Sequence, residues 1–283
     1  MQLIHISDLH LFQPLGLHNG ILYLQNALQR VLSGASFAHL YTFAYHNAQR
    51  ELPNALRGVL SSEDTIFTVT GDIAALPYDD PTRDIDGKYY PYISSLITAV
   101  GADAAIMLLG NHDWPLFGST HFASTRFQTI HRIGDAPRRE YFRGSAATLI
   151  FFVIDSTSMI LPATGEIPAA TLGSLAQWFS DGTNGALSFD DGTIFTAQQY
   201  ADALKIGLLH HFPISQAAYG GRLSWPAYFS QYLKNRRDLI NICRSDIDLF
   251  LFGHSHHPLV DESGGLGACP RNSHLTLDEE GQE

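Results

Sequence analysis

Cysteine and basic residues are both scarce in this chain of 283 residues. Its two cysteines, Cys243 and Cys269, cannot supply a disulfide framework, and no CxxC pair is present to bind zinc through thiolates. The 17 Lys and Arg residues against 28 Asp and Glu leave a formal net charge of -11. This balance disfavours a general surface for long nucleic acid or for anionic membranes, both of which need clustered basic side chains.

Long apolar runs are also missing. No stretch approaches the roughly 20 residues that span a bilayer, and the N-terminus begins with a strand pattern rather than a basic leader. With few cysteines as well, we expect a cytoplasmic protein without membrane association. A hydrophobic content of 45% is enough for a large core.

Six short apolar runs predict buried β-strands, because they are continuous rather than alternating. They are QLIHIS, TIFTVT, AAIMLL, TLIFFVI, KIGLL and DLFLF. Apolar residues three or four apart predict helices at 20–33, 46–60, 92–100, 172–179 and 226–243. Strands that alternate with helices indicate an α/β architecture, in which ligands bind at the carboxyl ends of the strands.

Three segments interrupt this alternation. Residues 34–45 are rich in aromatic and small residues, and they predict either an insertion packed on the protein's own surface or a cap beside the site. Residues 180–195 predict a turn-rich connection. Residues 261–283 predict a flexible polar tail after a single domain formed by residues 1–260.

Residue types that bind metals follow five of the six runs directly. The clusters are Asp8-Leu9-His10, Gly71-Asp72, Gly110-Asn111-His112-Asp113, His210-His211 and Gly253-His254-Ser255-His256. Each cluster alone has an ordinary explanation, such as a turn or a surface histidine. Residues two apart in an extended segment point the same way, so a pair such as Asp8 and His10 can reach one cation. Five clusters at strand ends together predict one shared metal site.

Within these clusters the residues differ in chemistry. The Asn111 amide oxygen is a neutral hard ligand, and the adjacent His112 is placed to act on a bound substrate. Asp113 is expected to orient His112 or to cap the turn rather than to bind metal. Of His210 and His211, one is expected to face the site and the other to pack or face away.

In this order the clusters resemble the motifs of the calcineurin-like metallophosphoesterase superfamily: D-x-H, G-D, G-N-H-D/E, a histidine after a strand, and G-H-x-H. The resemblance runs from Asp8 to His256. It implies a four-layer α/β/β/α sandwich with two metals at the carboxyl ends of the strands. Only 27 residues follow His256, with poor strand patterning, so we expect a second sheet shortened at the C-terminus.

The resemblance also implies a role for each residue. Asp8, His10 and His256 would hold one divalent ion, and Asp72 would bridge it to a second. The mixture of carboxylate, amide and imidazole donors suits Mn, Fe, Zn or Co.

The second ion would be held by Asn111, His210 and His254. His112 would contact the phosphate and protonate or polarise the leaving group, which makes it the catalytic histidine rather than a ligand.

Further residues resemble one branch of the superfamily, the cyclic-nucleotide phosphodiesterase-like (class III) group. These are Asp155-Ser156 at the end of the run TLIFFVI, Leu172-Gly173, Gln177-Trp178-Phe179, and the block His210-His211-Phe212-Pro213. In that group the first histidine of the block is the ligand, which favours His210 over His211.

The resemblance therefore implies a metal-dependent phosphohydrolase. We expect first a phosphodiesterase that uses a hydroxide activated by two metals on small or nucleotide-like phosphate esters. The alternatives are a phosphomonoesterase or a nuclease on the same centre, or a non-catalytic phosphoesterase-like binding scaffold. The presence of His112 and of the full ligand set favours catalysis. The expected partner is a small phosphate ester, and the sequence leaves the oligomeric state open.

Overall fold

The structure is a computed structural model of the chain. It describes residues 1–7, 9, 52–54, 56–57, 64–73, 85–110, 113, 136–157, 165–211, 213 and 233–253, with side chains in 85–90 left out. The predicted helix 20–33, most of 46–60, the segment 34–45 and the tail 261–283 lie outside these residues.

Nine strands and four helices have bounds within the described residues, and residues 52–54 and 56–57, inside the helix predicted at 46–60, are helical as well. The strands are β1 (Gln2–Ile6), β2 (Thr65–Thr70), β3 (Ala104–Leu108), β4 (Arg138–Arg143), β5 (Thr148–Val153), β6 (Leu187–Ser188), β7 (Ile194–Phe195), β8 (Leu204–Leu208) and β9 (Leu249–Leu251). The helices are α1 (Ile85–Val100), α2 (Ala169–Thr183), α3 (Ala197–Asp202) and α4 (Arg236–Cys243).

Two main sheets carry the fold. The first has the order β1-β2-β3 with all strands parallel, and its central strand β2 is buried along its whole length. The second has the order β4-β5-β8-β9, in which only β4 runs antiparallel to its neighbour. Strands β6 and β7 form a separate antiparallel pair. The chain is thus an α/β protein with one parallel and one mixed sheet.

Successive residues of each strand face different apolar clusters, as the two-residue period of a strand requires. On β5, Leu149 and Phe151 belong to a cluster shared by both sheets, whereas Ile150 and Phe152 belong to a cluster shared with helices. This double burial explains why the strands appear in the sequence as unbroken apolar runs.

The shared cluster, called here the inter-sheet cluster, takes residues from strands of both sheets. It consists of Ile66, Ile106, Leu108, Leu149, Phe151, Val153, Ile206, Leu208 and Leu251. The other face of the first sheet packs with helix α1, for example Phe67 and Met107 with Ile93 and Leu96. The other face of the second sheet packs with helices α2, α3 and α4.

All six apolar runs form strands, as predicted. The helices predicted at 92–100 and 172–179 are confirmed and extend further, over α1 and α2.

Two other predictions need correction. Residues 180–195 are more than a turn-rich connection, because α2 continues to Thr183 and β6 and β7 then pair. The helix predicted at 226–243 begins only at Arg236 in its described part. The preceding Asn235 instead pairs its side chain with the main chain of Ile167, accepting from N at 3.0 Å and donating to O at 2.6 Å.

No helix among the described residues combines the length and the apolar character that crossing a membrane requires.

Candidate metal centre

Asp72 and His210 come from different sheets and meet side chain to side chain. Oδ1 of Asp72 lies 3.4 Å from Nε2 of His210, and both side chains are fully buried. Asp72 stands two residues beyond the end of β2, and His210 stands two residues beyond the end of β8. Each therefore lies at the carboxyl end of its strand, where the sequence places it.

The ring of His210 is oriented by the main chain of the first sheet. Its Nδ1 lies 2.9 Å from the carbonyl oxygen of Thr70, the last residue of β2. A carbonyl oxygen can only accept, so Nδ1 carries the proton and donates it. In the neutral ring, Nε2 is then left with its lone pair on the side of Asp72. Histidines that bind metals are commonly held in this way through the other ring nitrogen.

The backbone turns sharply at Asp72. Its φ is +50°, and that of the preceding Gly71 is +90°. A positive φ is uncommon for residues other than glycine, although aspartate tolerates it better than most. Such conformations concentrate at functional sites, where the surrounding structure holds them in place.

Two glycines allow the strand ends to come together. A Cβ added at Gly71 would lie 2.6 Å from the Cα of Gly110 and 2.6 Å from Nδ1 of His210. A Cβ added at Gly110 would collide with Oδ1 and the main-chain N of Asp72. The ends of β2, β3 and β8 thus approach more closely than any side chain at these two positions would permit.

Asp113 joins the second and third clusters. Its Oδ2 accepts from the main-chain N of Gly110 at 2.8 Å and from that of Ile73 at 3.2 Å. Its own N donates to the carbonyl of Gly110 at 3.2 Å. The side chain is buried and caps the turn, which is one of the two roles predicted for it.

One residue of the first cluster and one of the fifth are described, and each has a neighbour near Asp72 or His210 in the sequence or the structure. The main-chain N of Gly253, which precedes His254, donates to the carbonyl of His210 at 2.9 Å. Leu9, between Asp8 and His10, belongs to the same apolar cluster as Ile73. Direct contacts thus link the described parts of the second, third, fourth and fifth clusters, whereas Leu9 of the first cluster shares only an apolar cluster with Ile73.

His211 turns away from Asp72. Its Nδ1 lies 3.1 Å from Oγ of Ser156, and its ring stands at 80° to that of His210 with the centroids 5.0 Å apart. Of the two histidines, His210 is thus the neighbour of Asp72.

The run TLIFFVI ends beside this region at Asp155. Its Oδ1 accepts from the main-chain N of Thr157 at 2.8 Å and from the hydroxyl of that residue. Burial raises the pKa of the Asp155 carboxyl, while the hydrogen bonds from Thr157 oppose that rise.

The helix residues that suggested the class III group have local roles in α2. Gln177 donates to Oδ1 of Asp181 at 2.7 Å. Trp178 stacks on Phe152 with ring centroids 6.2 Å apart, and the guanidinium of Arg139 lies 4.8 Å from the Trp178 ring.

Six predicted site residues lie outside the described part of the chain: Asp8, His10, Asn111, His112, His254 and His256. Among the residues that are described, no group of three or more His, Cys, Asp and Glu side chains is placed to hold a metal. The two predicted ligands that are described do fit a divalent ion. Asp72 offers a buried carboxylate, and His210 offers Nε2 on the same side.

Sequence reasoning did not single out Thr70, whose carbonyl orients His210. A threonine at the end of an apolar run carries no signal for this role, because every residue has such a carbonyl.

Two solved structures are similar to this chain at 12% identity and a TM-score of 0.43. One is a phosphopantetheinyl hydrolase from Mycobacterium tuberculosis, covering 92% of this chain and 84% of that one. The other is a putative 5'-nucleotidase from Staphylococcus aureus in complex with alpha-ketoglutarate, covering 92% of this chain and 46% of that one. The chain thus spans about half the length of the nucleotidase. At these scores neither likeness supports an argument about activity.

No curated protein matches the sequence. The family model of the calcineurin-like phosphoesterases, in contrast, matches residues 1–258, most of the chain. This match agrees with the order of the five strand-end clusters, and the chain belongs to the calcineurin-like phosphoesterase family.

Proposed function

We propose that this protein is a dinuclear metal-dependent phosphodiesterase that hydrolyses small or nucleotide-like phosphate esters. The observation that carries the proposal is the meeting of Asp72 and His210, 3.4 Å apart, at strand ends from two different sheets. Family membership makes a phosphoric ester hydrolase the expected class of enzyme. We favour phosphodiesters as substrates because two segments, Asp155-Ser156 and residues 210–213, resemble the class III group.

The proposed ions are Mn, Fe, Zn or Co, held by two sets of ligands that share Asp72. The sets are Asp8, His10 and His256 for one ion, and Asn111, His210 and His254 for the other. When bound, such ions supply positive charge for a phosphate in an acidic chain and lower the pKa of water toward neutrality.

The chain's own groups orient the site and move the proton. The Thr70 carbonyl keeps Nε2 of His210 directed toward Asp72, and Asp113 holds the main chain of Gly110, which directly precedes Asn111. A water that has released a proton to solvent forms the new bond from its oxygen to phosphorus while the ester oxygen leaves on the opposite side, so no protein nucleophile is required. His112 would contact the phosphate and protonate or polarise the leaving oxygen.

The proposal includes a four-layer α/β/β/α sandwich. Its support is the alternation of strand residues between the inter-sheet cluster and the two clusters that contain helices. A face of each sheet directed at the other sheet, and a face directed at helices, is the burial pattern that this architecture requires.

The test measures hydrolysis of bis(p-nitrophenyl) phosphate and p-nitrophenyl phosphate by purified, Mn²⁺-loaded protein. We expect the diester to be the better substrate, with activity lost on chelation and restored by Mn²⁺. Asp72→Asn keeps the size of the side chain and tolerates a positive φ, but it removes the charge. We expect it to lower kcat/KM by about a hundredfold or more. Gln198→Ala, which removes a surface bond to Asp202 in α3, is the matched control and should retain activity.

Each other outcome has a definite meaning. Undiminished, metal-dependent activity of Asp72→Asn would refute the proposed centre. A preference for the monoester would replace the diesterase by a phosphomonoesterase. Metal binding without hydrolysis of either ester would favour the non-catalytic scaffold.

A further inference from the structure

The peptide unit between His210 and His211 is held at both of its polar ends. The carbonyl of His210 accepts from the main-chain N of Gly253 at 2.9 Å. The N–H of His211 donates to Oγ of Ser156 at 3.0 Å. The ladders between β8 and its neighbours end at Leu208, two residues earlier. Beyond this paired register, the acceptor for the His211 N–H is the side-chain hydroxyl of Ser156.

Ser156 also touches the ring of His211. Its Oγ lies 3.1 Å from Nδ1, and both residues are fully buried. One hydroxyl has a proton and two lone pairs, so it can bond to the ring and to the main chain of the same residue. The ring occupies the space beside Gly165, where a Cβ would lie 2.6 Å from Nδ1 of His211. His211 cannot turn without breaking these contacts.

A fixed peptide plane restricts ψ of His210 and φ of His211, and so limits the direction in which the His210 side chain leaves the backbone. That direction brings Nδ1 to the Thr70 carbonyl and Nε2 to Asp72. The carbonyl of the same peptide accepts from the main-chain N of Gly253, the residue directly before His254. Ser156 therefore acts on the candidate centre from a position outside it.

We propose that Ser156 is a positioning residue for metal binding, which sets the direction of His210 through the peptide it holds. The inference rests on the proposed function, because it takes His210 as a metal ligand. It gives the second residue of the Asp155-Ser156 pair a physical role.

The test is calorimetric titration of the metal-free, full-length protein with Mn²⁺, without substrate. We expect Ser156→Ala to fold and to bind one Mn²⁺ about 10- to 100-fold more weakly than the wild type. Ser174→Ala removes an exposed hydroxyl that donates to the Ala170 carbonyl in α2, and it should bind Mn²⁺ as the wild type does.

If Ser156→Ala does not fold, the same Mn²⁺ titration is made with Ser156→Cys, which has a similar volume but a weaker hydrogen-bond acceptor. Its Mn²⁺ affinity should also be lower than that of the wild type. Mn²⁺ is the probe because it prefers oxygen ligands to thiolates. Wild-type Mn²⁺ affinity in the folded variant, even with a lowered unfolding temperature, would overturn the inference, because Ser156 would then be merely structural.

Failure of the proposed function gives a different result. A wild type that binds Mn²⁺ but hydrolyses neither ester would refute the enzyme and leave the role of Ser156 intact. Hydrolysis with unchanged Mn²⁺ affinity in the folded variant would refute the role of Ser156 alone. A wild type that binds no Mn²⁺ would overturn both.

Discussion

At the scale of single residues, the candidate centre depends on two glycines as much as on the side chains of its ligands. Gly71 and Gly110 lie where the ends of β2, β3 and β8 come closest, and a methyl group at either position would collide with main-chain atoms as well as with the side chains of the centre itself. Main-chain atoms at strand ends yield little, because their hydrogen bonds fix them. The glycines are therefore a steric condition for the meeting of Asp72 and His210.

This condition predicts the effect of a single methyl group. Gly110→Ala should lower the free energy of unfolding by about 1–3 kcal/mol, the usual cost of overpacking, because the added Cβ collides with Asp72. Urea titration measures the change, and Mn²⁺ affinity should fall with it.

The matched control is Gly173→Ala, since a Cβ at Gly173 in α2 meets nothing within 4 Å. It should raise the free energy of unfolding by about 0.5–1 kcal/mol through the better helix propensity of alanine. Equal stability of Gly110→Ala and wild type would show that the strand ends lie further apart than described.

At the scale of elements, helix α3 shows how a short helix is specified by its first turn. The Thr196 hydroxyl accepts from the main-chain N of Gln199 at 3.2 Å, and the Gln199 side chain accepts from the main-chain N of Thr196 at 2.9 Å. This reciprocal capping box satisfies two donors that six helical residues could not otherwise satisfy. Tyr200 is the buried residue that anchors the helix.

Thr196→Ala should therefore lower the free energy of unfolding by about 1 kcal/mol, since one half of the box is lost. The urea midpoint measures the effect, and an unchanged m-value would show that the unfolded state is unaltered. Gln198→Ala, on the same helix but outside the box, should change stability far less. A midpoint shift no larger than that of Gln198→Ala would contradict the capping role.

The strands that were predictable are those with two buried faces. β2 and β5 appear as unbroken apolar runs because each face packs on a different cluster. β4, with the sequence Arg-Arg-Glu-Tyr-Phe-Arg, escaped prediction because it carries charged residues and, among the described strands, pairs with β5 alone. Helix α3 was also missed, although Thr196 and Gln199 stand at the spacing of a capping box.

The strand-end position of the site was predictable, but its supporting contacts were not. Asp72 and His210 stand directly after apolar runs, which the sequence shows. The partner of the His210 ring is a carbonyl 140 residues away, and that of His211 is a hydroxyl 55 residues away. The first contact depends on how the two sheets are placed and the second on how β5 pairs with β8, and local patterns encode neither.

At the scale of the whole molecule, a second link joins the segments of the two sheets at the edge opposite Asp72. Asp64, directly before β2, accepts through Oδ2 from the main-chain N and the hydroxyl of Ser145, in the turn between β4 and β5. These bonds, the side-chain bond first, lower the pKa of the Asp64 carboxyl. The φ of Asp64 is +67°, which asparagine also tolerates.

The link predicts a pH dependence of stability. A lowered folded-state pKa means that the contribution of ionised Asp64 is complete above the ordinary value of 3.8 and is lost as the pH falls through the folded-state pKa. Asp64→Asn should thus unfold at a lower temperature than the wild type at neutral pH, and the gap should close in acid. Thermal midpoints of both proteins across this range provide the measurement. A gap that stays constant with pH would exclude ionisation of Asp64 as its cause.

The parallel pairing of the strands has a consequence for how the molecule is assembled. Paired residues of β1 and β2, such as Gln2 and Thr65, are 63 positions apart in the sequence. Those of β5 and β8, such as Leu149 and Leu204, are 55 positions apart. Closing such long loops makes folding slow, because the chain loses conformational entropy before the stabilising contacts between the strands have formed. Asp72 and His210 belong to separate sheets, so neither sheet alone presents both groups. A ligand that contacts both side chains can reach full affinity only after the two sheets have docked. The rate at which binding appears during refolding would therefore measure the rate of docking.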